Sequence, residues 1–272
     1  MGRAGHRVSD WLRRARLLGA VDQARFLRSL LRSRKANREF RRLHPAFSVP
    51  PADLAFDAYD HTSWQAYHDA GLYAARFIAQ TIQRHLPGPG LRICEWGCGP
   101  ARVVRHLHEA LGDPSAVLFG TDYNRRSIAW CRRNVAAIEF HENGLEPPLP
   151  FASGFLDCVY ALSVFTHLAR ENQLRWIAEL LRVIHDRGIV IFTTHGEACL
   201  PILLPEERRA FEAGELVVRG HVTEGKKSFA AFHPQRFVRE ALLQGAVVLE
   251  QLPPPTQFGL SQEVWVVAKP RA

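Results

Sequence analysis

Apolar residues between positions 8 and 43 recur at Val8, Trp11, Leu12, Ala15, Leu18 and Val21, then at Phe26, Leu27, Leu30 and Leu31. This spacing is close to the 3.6-residue period and predicts one or two amphipathic helices. The stretch from His44-Pro45 to Pro50-Pro51 breaks them. A further helix is expected from Trp64 to His85, with Tyr67, Gly71, Ala74, Ala75, Ile78 and Ile82 along it and Pro87-Gly88-Pro89-Gly90 closing it. From Leu91 the pattern changes to short apolar runs alternating with helical stretches. Strands are predicted at 91–96, 116–121, 137–141, 156–162, 188–194, 246–252 and 263–269, and helices near 101–111, 124–135, 170–184 and 234–244. Such alternation implies an α/β fold, a doubly wound, mainly parallel seven-stranded sheet covered on both faces. Ligands in such sheets bind at the carboxyl ends of the strands, where the strand order reverses.

Two segments depart from the alternation. Residues 144–155 are too short and Pro-rich for a crossover helix and are expected to form a loop, and 197–233 are expected to be an insertion after the fifth strand, placed to cover a site. Three parts follow: a basic amphipathic arm over 1–44, a helical lid over 45–90, and an α/β domain over 91–272 that carries the insertion.

The chain has 272 residues, 47% of them hydrophobic and 23% charged, which suits a folded protein with a full core. No run approaches the roughly 18 to 20 apolar residues of a membrane-spanning helix, and the Arg-rich, acid-poor N-terminus does not indicate a secretory signal peptide, the alternative being an organellar presequence. The five cysteines form no C-x-x-C pair, which argues against a zinc site or a disulfide framework and suggests reduced thiols in cytoplasm. The net charge of +8 is uneven: residues 1–44 carry 13 Lys/Arg against 3 Asp/Glu, and the remainder is nearly neutral. A basic arm of this kind can meet nucleic acid, an anionic membrane surface or an acidic partner, and it can also be a solvated face.

The candidate chemistry begins at the end of the first strand, Glu95-Trp96-Gly97-Cys98-Gly99-Pro100-Ala101-Arg102. Gly97 and Gly99 let the backbone turn sharply and approach a ligand. A dinucleotide site would place a third glycine where Arg102 stands, and Glu95 would oppose a phosphate but suits a ligand with positive charge. The second strand ends in Asp122-Tyr123-Asn124, where a carboxylate can accept both hydroxyls of a ribose. His167 and His195 follow the fourth and fifth strands, on the same rim. A histidine titrating near ~6.5 can act as a base at neutral pH, or it can simply brace a loop. Asp157 reads as structural, and Arg102 and Arg105 as surface or loop-bracing residues.

These residues together resemble the class I S-adenosylmethionine-dependent methyltransferases, whose fold is Rossmann-like. Glu95, Gly97 and Gly99 match the acid-x-Gly-x-Gly core of the first motif, with Ala101 in place of a further glycine. The resemblance covers 90–200 strongly and the final helix and strands weakly. It implies S-adenosyl-L-methionine as cofactor and a cofactor site of Glu95, Gly97, Cys98, Gly99, Asp122, Tyr123, Asn143, Gly144 and Ser163, with Tyr123 and Asn143 beside the adenine. His167 and His195 are the candidate catalytic residues. Some relatives place a carboxylate directly before this first histidine and bind a metal there; Thr166 stands here instead, so no metal is expected. The run Ser163-Val164-Phe165-Thr166-His167-Leu168 resembles bacterial enzymes of sugar, polysaccharide or natural-product pathways. The implied activity is methylation of a small-molecule acceptor, at oxygen or alternatively at nitrogen or carbon. The alternatives are an RNA or protein methyltransferase guided by the basic arm, and a non-catalytic cofactor-binding or docking protein.

Overall fold

The computed structural model describes residues 18–220, 222–253 and 262–270. The part of the expected arm that contains Val8, Trp11, Leu12 and Ala15 lies outside the described residues. Three helices precede the sheet: α1 (Leu18–Leu43), α2 (Ala52–Tyr59) and α3 (Trp64–His85). Then follow β1 (Arg92–Trp96), a 3-10 turn at Val104–His106 that runs into α4 (Leu107–Leu111), β2 (Val117–Asp122), α5 (Arg125–Asn134) and β3 (Glu139–Glu142). After the expected loop come β4 (Leu156–Ala161), α6 (Arg170–Val183) and β5 (Ile184–Thr194). The insertion holds α7 (Pro205–Glu212) and a small hairpin, β6 (Val217–Arg219) with β7 (Ala230–Phe232). A short α8 (Gln235–Phe237) continues as a π turn over Val238–Leu242, and β8 (Val247–Leu252) and β9 (Glu263–Ala268) end the sheet.

The seven-stranded sheet has the order β3-β2-β1-β4-β5-β9-β8, parallel through β5 and antiparallel at β9 and β8. Strand order reverses between β1 and β4, so the crevice lies beyond their carboxyl ends. Successive residues feed opposite cores. Ile93, Cys158, Tyr160, Ile189 and Ile191 pack with α3, α4 and α5, whereas Cys94, Val159, Val190 and Phe192 pack with α6 and the 237–243 turn. Burial on both faces is why these strands read as continuous apolar runs.

Three boundaries differ from the sequence reading, each for a physical reason. The helix expected over 101–111 starts only at Val104, because Gly99 (φ 50°) and Ala101 (φ 57°) hold the preceding segment in a left-handed loop. β5 begins at Ile184 rather than 188: Ile184 pairs with Leu156 across a β-bulge, and the polar residues His185, Asp186 and Arg187 hid that start. The helix expected over 234–244 is one short turn followed by a π turn. Asp157 is structural as read, accepting from the Arg92 amide at 2.7 Å and lying 2.8 Å from His185 Nε2.

Candidate functional site

β1 ends in a hinge that only particular residues can make. Gly97 has φ 77°, and a Cβ there would stand 2.4 Å from Val164 Cγ2, so both the backbone angle and the space call for glycine. The Gly97 and Cys98 amides both donate to the Thr121 carbonyl, at 2.8 and 3.0 Å, which fixes the hinge against β2. The Gly99 amide donates to Asp122 Oδ2 at 2.8 Å, and the Asn124 amide donates to Asp122 Oδ1 at 2.7 Å. Asp122 is only 8% exposed; burial pushes its carboxyl pKa up, and the two amides act against that shift. Each carboxylate oxygen retains acceptor capacity beyond its amide.

Gly97, Gly99, Asp122, Tyr123, Asn143, Gly144, Ser163, His167 and His195 line one cavity of about 410 Å³ over the strand tips. Glu95 and Cys98 do not line it. The Glu95 carboxyl lies under the loop, where Oε2 accepts from the Val104 amide at 2.9 Å and from the Tyr160 hydroxyl at 3.2 Å. It therefore caps the turn into α4 rather than facing a ligand. Burial raises its pKa to about 8, against the pull of those two donors. Cys98 contributes its backbone to the hinge, and its thiol is buried in the core shared with α3 and α5.

The Glu95 environment makes a pH prediction with a definite sign. A carboxyl whose folded pKa lies above its unfolded value of 4.5 favours the fold below that value, and the contribution is lost as pH rises through about 8. Glu95→Gln keeps the carbonyl acceptor and removes the titration. Urea unfolding of the variant and the parent is expected to show the variant gaining relative stability from pH 5 to 9, at about 1.4 kcal/mol per unit of pKa difference. A difference independent of pH would show that Glu95 is not held as described.

The two histidines differ in what their rings can still do. His167 Nδ1 lies 2.7 Å from the Phe229 carbonyl, which can only accept, so Nδ1 carries the proton and Nε2 keeps its lone pair. Burial lowers its pKa, which keeps the ring neutral at pH 7. The insertion holds this residue a second time, through the Gly225 amide donating to the His167 carbonyl at 2.9 Å. His195 Nδ1 faces the Ala231 carbonyl at 3.2 Å, and its Nε2 accepts from Gln262 Nε2 at 3.2 Å. Both nitrogens are engaged, and burial brings its pKa down to about 4.

Gln262 was not singled out from the sequence. Its Oε1 accepts from Thr193 Oγ1 at 2.6 Å and Ser163 Oγ at 3.0 Å, and the Ser163 amide donates to Thr193 Oγ1 at 2.8 Å. This knot holds Ser163 at φ 61°, an unusual angle for a residue with a side chain. Arg102, read as a surface or loop-bracing residue, also lines the cavity, with its guanidinium 4.0 Å over the Tyr59 ring. Arg105 braces the loop as read, donating to the Ser48 carbonyl at 2.8 Å.

The roof comes from two distant parts of the chain. Asp57, Ala58, Tyr59 and Asp60 approach from α2 and its end, and Gly225, Lys226 and Lys227 from the insertion. Tyr123 Oη donates to the Gly225 carbonyl at 2.8 Å. Lys227 Nζ reaches the Phe56 carbonyl at 3.2 Å, Asp60 at 3.3 Å and Asp22 at 3.1 Å. Within the expected lid over 45–90, Tyr59 and Asp60 line the cavity. Tyr67 instead lies beneath the hinge, donating to the Pro100 carbonyl at 2.6 Å.

Comparison with known proteins agrees with this geometry. Residues 93–188 match the family described as a methyltransferase domain. The sterol 24-C-methyltransferase erg6 of Schizosaccharomyces pombe is 27% identical over 150 residues, which cover 50% of this chain and 38% of that protein. The chain thus matches well under half the length of that relative. Among solved structures, magnesium protoporphyrin IX methyltransferase from Synechocystis PCC 6803 with bound S-adenosylhomocysteine is 14% identical with a TM-score of 0.53, covering 88% of this chain and 99% of that one. The glycopeptide N-methyltransferase MtfA in complex with S-adenosylmethionine is 14% identical with a TM-score of 0.53, covering 74% of this chain and 94% of that one. At these identities the two structures show the shared fold.

Proposed function

We propose that this chain, whose residues 93–188 match a methyltransferase domain, is a class I S-adenosylmethionine-dependent enzyme that methylates an oxygen of a small-molecule acceptor with His167 as the base. The observation that carries this reading is the free Nε2 of His167, on a neutral ring whose other nitrogen is pinned to Phe229 and whose edge lines the cavity. His195 has no free nitrogen and serves as a positioning residue for Gln262.

The lining fits the cofactor on independent grounds. Among the described residues, Tyr59 Oη, Arg102 Nε and Asn143 Oδ1 are buried polar atoms without a hydrogen-bond partner, and all three residues line the cavity. Buried groups of this kind call for a ligand or water to complete them. A hydroxyl and a guanidinium suit the carboxylate of an amino-acid tail, and an amide oxygen suits an exocyclic amine such as that of adenine. Asp122 would take the ribose hydroxyls, and the Gly97 and Gly99 backbone would lie beside the sulfonium-bearing end. When bound, S-adenosylmethionine supplies a methyl group already activated on a sulfonium.

What remains for the protein is alignment, exclusion of water and one proton. His167 Nε2 accepts the proton of the acceptor hydroxyl, and the Phe229 carbonyl at Nδ1 stabilises the resulting imidazolium. The roof formed by α2 and residues 225–227 shields the exchange from solvent. Ser163 and Gln262 add polar groups to the lining of the same cavity, which suits a hydroxylated acceptor such as a sugar or natural product. The acceptor must share about 410 Å³ with the cofactor, which supports a small molecule rather than a folded macromolecule.

Calorimetry of the full chain with S-adenosylmethionine and S-adenosylhomocysteine is expected to show binding of both. Incubation with S-adenosylmethionine and fractionated host metabolites should give a mass gain of one CH₂ on a hydroxylated compound. Binding of neither nucleoside would reject the cofactor reading. A gain confined to nitrogen or to RNA would reject the acceptor reading and leave the cofactor reading standing.

A further inference from the structure

Helix α1 carries two faces with opposite tasks. The inner face is tied to the body: Ser29 and Ser33 hydroxyls meet Thr62 Oγ1 at 3.0 and 2.8 Å, Asn37 takes the Trp64 amide at 2.9 Å, and Phe40 is buried. The outer ridge, following the helical period, runs Ala20, Ala24, Leu27, Leu31 and then Lys35, Arg38, Arg42. All of these are exposed, Leu27 at 51% and Leu31 at 74%. Arg28, Arg32 and Arg34 flank the leucines.

The acids of the described helix are Asp22 and Glu39, and only Glu39 meets this ridge, through Arg42. Asp22 is engaged by Lys227 at 3.1 Å, and Glu39 by Arg42 at 2.6 Å. Leu27 and Leu31 stand at the outward pole of the helix, between the basic residues that flank them. Nucleic acid would engage the arginines, but the described ridge offers it leucine where single-strand binding uses aromatic stacking. Leucine and arginine on one outward face, with no free acid, match the requirements of a helix lying in an anionic lipid interface: apolar groups enter the headgroup boundary while guanidinium groups meet lipid phosphates.

We propose that the outer face of α1 docks on an anionic membrane surface, with Leu27 and Leu31 in the interface and Lys35 and Arg38 on the headgroups. The helix lies along the surface, and no helix among the described residues is long and apolar enough to cross it. This docking is independent of what the cavity binds.

Co-sedimentation of the full chain with phosphatidylcholine vesicles, with and without phosphatidylglycerol, tests it. Partitioning is expected to be at least about tenfold greater on the anionic vesicles, since each basic residue near such a surface contributes roughly fivefold. Leu27→Ser with Leu31→Ser should lower it by about tenfold or more, from two lost apolar side chains. Lys35→Glu with Arg38→Glu should remove the preference for phosphatidylglycerol. Equal partitioning on both vesicles overturns the proposal, and so does anionic binding that the leucine replacements leave unchanged, which is the behaviour of a purely electrostatic nucleic-acid arm. Because the five native cysteines are all buried, Leu31→Cys can carry an environment-sensitive fluorophore as a second measurement. A blue shift on anionic vesicles is expected, and an unchanged spectrum also overturns the docking.

Discussion

Asp122→Asn is expected to weaken S-adenosylmethionine binding by roughly tenfold or more, corresponding to about 1–3 kcal/mol for a compromised buried hydrogen bond. The substitution keeps volume and shape, so the loss would come from chemistry alone. One Asp122 oxygen accepts the Gly99 amide and the other the Asn124 amide, at 2.8 and 2.7 Å. Asparagine must turn its NH₂ toward one of these amides, setting donor against donor, and it loses half of the acceptor surface offered to a ribose. If the NH₂ faces Gly99, the glycine hinge itself is disturbed; if it faces Asn124, the start of α5 is. Calorimetry should therefore show lower affinity for both S-adenosylmethionine and S-adenosylhomocysteine. Equal affinity in variant and parent would remove Asp122 from the ribose site.

His167→Asn should lower turnover by about 100-fold or more while leaving cofactor affinity near its original value. Asparagine is the informative replacement because its amide NH₂ can stand where Nδ1–H donates to the Phe229 carbonyl, so the loop at 225–229 keeps its anchor while nothing occupies the place of Nε2. The pH dependence carries the diagnosis. Burial lowers the His167 pKa below the ordinary 6.5, and a base works only unprotonated. The rate of the parent should thus rise with pH along a limb whose midpoint lies below 6.5, and the variant should lack that limb. His195→Asn should keep it, because neither His195 nitrogen is free. Loss of the limb in the His195 variant alone would reverse the two roles.

The strands were legible because both faces of the sheet are buried: runs such as Gly188-Ile189-Val190-Ile191-Phe192 have no polar alternation to confuse them. The positions of the glycine hinge, Asp122 and the two histidines on one rim were legible because all lie at strand ends or in the exits that follow them, and strand ends of a doubly wound sheet converge. Glu95 shows the limit of that logic. It stands one residue inside the tip, on the face of β1 that Ile93 shares, and that face is covered by the turn into α4. Strand parity could have assigned it there; proximity to the glycines could not. Gln262 and Lys227 had no local signal at all. Gln262 meets Ser163 across 99 positions and Lys227 meets Phe56 across 171, and such pairs come into being only when the chain closes. The left-handed Ser163 was hidden for the same reason, since Thr193 and Gln262, not its own neighbours, hold it.

The lysine that fastens the roof has a practical consequence for how the N-terminus can be dissected. Lys227 draws together Asp22 of α1 and Asp60 after α2, and Arg25 of α1 pairs with the same Asp60. Cutting the chain at residue 45 would strip away more than positive charge. It would leave Asp60 without one of its two cations and Lys227 without one of its two acids, at the seam where the ceiling closes. A shortened enzyme that turns over slowly would therefore be a leaky vessel before it is an unanchored one. Point replacements on the outward ridge of α1, which leave that seam intact, are the way to separate the two.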